Sequence, residues 1–272
     1  MRRPLFCGTL AGENSNNKGA AVAATSEALA DPSPLTRSGN RAQRAERLFF
    51  SSIAVALLGL VFVGFAPTYF LRNSFGSPAL TPSLQVHGLL FTSWMILLFV
   101  QTSLIAASKT AWHRRLGIVG ALLGVLMMVA GAYVAITRAR TGLATPPPPG
   151  LTPAVVLTLP LATLVVFPAL FGAALWFRRR TDVHKRLVII ATLELVTAAV
   201  ARWPVISTLG PVAFFGVTDA FVVALAVYDF KTRGRIHPAT LWGGLFLIVW
   251  QPLRIAIGFT APWQTFVNWL IA

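Results

Sequence analysis

Four ionisable side chains, Glu194, Arg202, Asp219 and Arg254, interrupt long apolar runs. A charge in hydrocarbon is costly, so each is a functional candidate and each needs a partner. Counting about 1.5 Å per residue from the expected helix starts places Arg202, Asp219 and Arg254 roughly 7–12 Å below one membrane boundary, with His87 slightly above them. Asp219 and Arg254 are therefore expected to pair, while Glu194 falls nearer the middle and is expected to stand alone. His87, Trp94 and Gln101 recur at intervals of seven residues. At about 100° per residue they fall within roughly 40° of one helix face. With Gln251 one turn from Arg254 and Trp94 as a flat wall, these residues outline a polar pocket between helices. A cation deep in an apolar pocket suits a carboxylate, a phosphate or a quinone carbonyl. The competing reading is a polar network that only ties helices together.

The other three histidines, His113, His184 and His237, stand at expected helix starts beside basic residues. Such positions offer haem b ligation by two histidines, with the adjacent arginines on the propionates. All three lie at headgroup depth, where a haem would be half in water, and His87 on the opposite side has no histidine partner. Interfacial histidines facing lipid headgroups are the plainer account. A three-histidine metal site is opposed by the neighbouring cations, with only Asp182 and Asp229 nearby as carboxylates, so no metal is expected. No P-loop, GxSxG, HExxH or dinucleotide fingerprint is present. The helices are rich in Ser and Thr, but a nucleophile without an adjacent base is not a catalytic site.

The elements that must hold these residues are membrane helices. Of 272 residues, 56% are hydrophobic and only 11% charged, too little polar surface for a soluble domain. A crossing helix needs about 20 apolar residues, because unpaired backbone groups cannot face lipid. Seven segments qualify: 48–71, 84–107, 116–137, 153–177, 183–205, 211–228 and 239–259. The expected fold is all-α, a seven-helix transmembrane domain over 47–272 behind a tail, 1–46.

The net charge of +15 is distributed unevenly. Alternate loops hold Arg37, Arg41, Arg44 and Arg47, then Lys109, Arg114 and Arg115, then Arg178, Arg179, Arg180, Lys185 and Arg186, then Lys231, Arg233 and Arg235. The intervening loops hold only Arg72, Arg138 and Arg140. That asymmetry places the amino terminus in the cytoplasm and, after seven crossings, the carboxyl terminus outside. It also sets the basic loops against anionic headgroups and accounts for the charge without nucleic acid.

The tail is rich in Ala, Ser, Asn and Gly with no periodic apolar face, a disordered composition, and Glu13 ends its apolar run too early for a signal peptide. Its Cys7 is the only cysteine, which excludes an internal disulfide or a cysteine cluster. Pro146, Pro147, Pro148 and Pro149 form a stiff spacer. Gly120 and Gly124 admit close packing, and Pro160 and Pro168 are expected to kink the fourth segment. Trp263, Phe266 and Trp269 suggest that 263–271 lies flat on the outer interface. His113-Arg-Arg-Leu and His184-Lys-Arg-Leu echo one another at the starts of two segments, a sign of repeated hairpins.

The strings HGLLFTSW, WHRRLG, VHKRL, FFGVTDAF, RGRIHPATLWGG and QPLR, in that order from about Glu46 on, resemble a group of uncharacterised bacterial multi-pass membrane proteins. The resemblance implies an inner-membrane helical bundle and carries no activity to any position. A fainter likeness to cytochrome b561-type proteins rests on the helix-end histidines. Two function classes follow: binding or sensing of a small anionic or quinone-like amphiphile, and haem-linked electron transfer.

Overall fold

The computed structural model describes residues 34–141 and 152–272, for 34–40 the backbone alone. Cys7, most of the expected tail and the four prolines 146–149 lie outside the described residues. All regular structure among the described residues is helical. Helix α1 (Pro34–Phe65) runs into a π-helical turn (Ala66–Phe70), followed by α2 (Pro82–Ala106), α3 (Thr110–Thr141), α4 (Pro153–Trp176) and α5 (Thr181–Val200). A short α6 (Pro204–Leu209) leads into α7 (Pro211–Arg233), α8 (Pro238–Gly258) and α9 (Ala261–Ile271).

The helix starts follow from local chemistry. Proline in the first turn loses no hydrogen bond there. Thr81, Thr152 and His237 cap α2, α4 and α8 by accepting from the backbone N–H of Leu84, Val155 and Ala239. Gly234, in the left-handed region at φ 69°, ends α7.

Six helices, α1, α2, α3, α4, α7 and α8, are long and apolar enough to cross a membrane. Their outward faces carry large apolar side chains such as Ile118, Leu122, Val125 and Val129 on α3. Such a surface suits lipid rather than water. Residues 47–272 form one compact unit, and α5 is its axis. Between Arg186 and Val200 every residue of α5 except Val188 and Ala198 is buried, against α4, α7 and α8. At Gly64 of α1 a β-carbon would collide with the Ala199 backbone of α5, so only glycine permits that approach. Gly120 and Gly124 seat Leu97 and Phe171, as expected of packing positions.

Two boundaries differ from expectation. Helix α1 begins at Pro34, so residues 34–46, assigned to the tail, are helical. The fifth segment stops at Val200 and the chain then forms α6, because Pro204 cannot continue the helix and its neighbour Trp203 is extended. Helix α4 runs unbroken through Pro160 and Pro168. Residues Ala261–Ile271, most of which were expected to lie on the outer interface, form a helix whose Val267 is buried and whose Trp263 donates to the Ala154 carbonyl, which docks it on α4.

Candidate functional site

The polar residues fall into two groups, one at each end of the unit. One end gathers the Arg47–Phe50 stretch of α1 and the starts of α3, α5 and α8 with the ends of α2, α4 and α7: Arg47 donates to Ala106 and Ser108, and Phe49 stacks on Tyr228. It carries the basic loops and is called the basic end below.

Toward the opposite end, Arg254 of α8 and Glu194 of α5 form a bidentate pair, Nη1 to Oε1 and Nη2 to Oε2, both at 2.7 Å. Their side chains are 3% and 1% exposed. Thr163 of α4 donates to the same Oε1 at 2.7 Å, and the guanidinium lies 5.6 Å from the Phe215 ring. Glu194, expected to stand alone, is thus the partner of Arg254. Asp219 of α7 instead accepts from Gln251 Nε2 at 2.7 Å. The expected Asp219–Arg254 pair is corrected by rotation: residues 251 and 254 differ by about 60° around α8, so one turns to α7 and the other to α5.

His87 and Trp94 do face inward from α2. Trp94 is buried, donates to Thr192 of α5 at 3.3 Å and packs edge-on against Phe167 and Phe171. His87 lies over Phe91, and its Nδ1 is buried with no hydrogen-bond partner among the described residues. Gln101 Oε1 is in the same condition. Arg202, in the turn after α5, is within electrostatic reach of His87. Its Nη1 donates to the Ala198 carbonyl and its plane covers the Phe65 ring at 4.4 Å. Arg202 is exposed. No carboxylate meets it among the described residues. The expected pocket is thus three arrangements: a closed Glu194–Arg254 pair, an Asp219–Gln251 contact, and His87 with Arg202, whose polar groups are not all satisfied.

Sequence reasoning missed the densest network, at the basic end. Arg186 and Asp229 are fully buried. Asp229 accepts from Arg186 Nε at 3.0 and 3.2 Å and from Nη2, from Thr240 Oγ1 at 2.6 Å, and from the His237 N–H at 3.2 Å. Arg186 also donates to the Asp182 carbonyl at 2.7 Å. A signal was present: an acid in the last turn of α7 opposes the helix dipole and demands a cation.

The basic end also decides the fate of the other histidines. His237 is spent, since its Nδ1 accepts from Ala239 N–H and its Nε2 lies 3.0 Å from Asp182. It therefore drops out of the haem candidates. His113 and His184 do meet, edge to face at 6.3 Å between ring centres, and His184 Nδ1 lies 2.9 Å from the Ala174 carbonyl. Among the described residues no group of three or more His, Cys, Asp or Glu is placed to hold a metal ion.

The fold and these sites define an all-helical, membrane-like bundle with buried ion pairs. Comparison with known proteins finds no matching family model, no matching curated protein and no matching solved structure. Function must be read from the geometry.

Proposed function

We propose that the chain is a multi-pass protein of the bacterial inner membrane whose outer half binds a small anionic or quinone-like amphiphile. It crosses seven times, with the amino terminus in the cytoplasm and the carboxyl terminus outside. Helix α5 is the seventh crossing: its 20 residues rise about 30 Å, and its charges are tolerable because neighbours enclose it. The charge asymmetry of the loops supports the orientation. An alkaline phosphatase fused after Ala272 is therefore expected to be active; activity only from a cytoplasmic reporter there would remove one crossing, α5 being the first suspect.

One observation carries the ligand reading. The buried arginines Arg186 and Arg254 each have a carboxylate, whereas Arg202 has none among the described residues and neighbours a histidine with an unsatisfied nitrogen. An exposed cation without a counter-charge is free to take an anionic or strongly polar ligand. The second reading, haem b, is favoured by the meeting of His113 and His184. A hydrogen bond from His184 Nδ1 to Ala174 would leave Nε2 free for iron.

One preparation separates the two. Wild-type protein from haem-replete cells is expected to show no Soret band and to retain an amphiphile that mass spectrometry detects and that Arg202→Gln loses. A Soret band abolished by His184→Ala would establish the haem reading. Identical bound molecules in wild type and Arg202→Gln would sink the first.

A further inference from the structure

The geometry points to a seat for a doubly anionic phospholipid at the basic end, where the α2–α3 and α4–α5 turns meet. This seat is separate from the outer-half ligand site and does not depend on it.

Side-chain contacts bring the two turns together. The rings of His113, at the start of α3, and His184, at the start of α5, lie edge to face with centres 6.3 Å apart. His184 Nδ1 lies 2.9 Å from the Ala174 carbonyl, which ties α5 back to the end of α4. Arg47 fixes the other turn by donating to the Ala106 carbonyl and to Ser108 Oγ, both at 3.1 Å. At this junction Lys109, Arg114, Arg115, Arg178, Arg179 and Arg180 are all exposed, and none has an ion pair among the described residues. The chain supplies no acid to them: from Arg47 to Thr181 it contains no Asp or Glu. Asp182, the next acid, lies 3.0 Å from His237 Nε2 and 3.7 Å from Arg233, so it serves the α7–α8 turn. Like charges gathered in one place repel, and a shared polyvalent anion reverses the sign of that interaction.

The aromatic neighbours select a lipid over a soluble anion. Trp112 and Trp176 are 57% and 80% exposed, at the ends of helices that continue as apolar outward faces. Val119 and Leu126 follow Trp112 at intervals of seven residues and share its face, as Gly172 and Val165 share that of Trp176. A β-carbon at Gly172 would meet nothing within 4 Å, so this face is open to an acyl chain. Tryptophan at a helix end beside apolar surface sits at headgroup depth. Arg115 lies over the Trp112 ring at 5.4 Å and Arg180 over the Phe177 ring at 5.8 Å, which holds both guanidinium groups at that depth. Lys109, Arg114 and Arg115 on one side of the junction and Arg178, Arg179 and Arg180 on the other match two phosphates of one headgroup, as in diphosphatidylglycerol. A single phosphate engages one turn, whereas joining two makes the second contact intramolecular.

The test is native mass spectrometry of the full-length, delipidated protein in a neutral detergent, titrated with diphosphatidylglycerol or with phosphatidylglycerol at equal total phosphate. Diphosphatidylglycerol should bind wild type at least about tenfold more tightly. Arg114→Gln combined with Arg178→Gln should remove that preference. Lys231→Gln combined with Arg235→Gln takes the same charge from exposed positions of the α7–α8 turn and should leave it intact. Equal losses in the two double variants would reduce the binding to general charge attraction and overturn the inference. An unchanged preference in the first variant, once thermal unfolding shows it folded, would do the same. So would a wild type that does not distinguish the two lipids, a result that needs no variant. Displacement of diphosphatidylglycerol by inorganic pyrophosphate at equal concentration would assign the junction to a soluble anion and overturn the lipid seat.

Discussion

Arg254→Gln is expected to destabilise the bundle by about 3–5 kcal/mol, because it leaves the Glu194 carboxylate buried with only Thr163 as a donor. Glu194→Gln should cost a similar amount by stranding the guanidinium. The double substitution should be milder than the sum, since two amides can hydrogen-bond where an ion and an amide cannot balance charge. Thermal unfolding in detergent, read as a double-mutant cycle, gives the coupling. Strictly additive losses would mean that the bidentate contact does not hold α5 to α8. Asp219→Asn is the useful contrast: its one partner is an amide, so no cation is stranded and the loss should be much smaller.

The apolar runs and the alternation of basic loops were legible because both are one-dimensional properties of a chain in a slab. Partner choice was not. Depth along a helix can be counted, and it brought Asp219 and Arg254 to the same height; which neighbour each faces depends on rotation and on which helices are adjacent. Gln251 and Arg254, three residues apart, face different helices for that reason. The core helix was not legible either. The polar stripe of His87, Trp94 and Gln101 lies on α2, where Trp94 does face inward. The axis is α5, whose charges made it the weakest of the expected crossings, although a helix enclosed by others is one that can carry them. Arg186 was counted among loop cations because four basic residues precede it, Arg178, Arg179 and Arg180 before the helix and Lys185 in its first turns.

The second large effect is expected at Asp229. Asp229→Ala removes the counter-charge of Arg186, a fully buried guanidinium, and also takes the acceptor from Thr240 and from the backbone N–H of His237. The loss should reach at least the 3–5 kcal/mol typical of a broken buried pair. Asp182, in the same cluster, supplies the control. Its side chain is 42% exposed, Arg233 is 3.7 Å away and His237 Nε2 3.0 Å away, so water can replace either contact. Asp182→Ala should therefore cost no more than about 1 kcal/mol. Both losses can be read from unfolding midpoints under one detergent condition, with the fraction of folded protein recovered as a second measure. Large loss at Asp229 with little at Asp182 would locate the tie between α5, α7 and α8 in the buried carboxylate. Equal losses would place it instead in the His237 turn that both acids touch, and the buried pair would then be a passenger in the packing of that end.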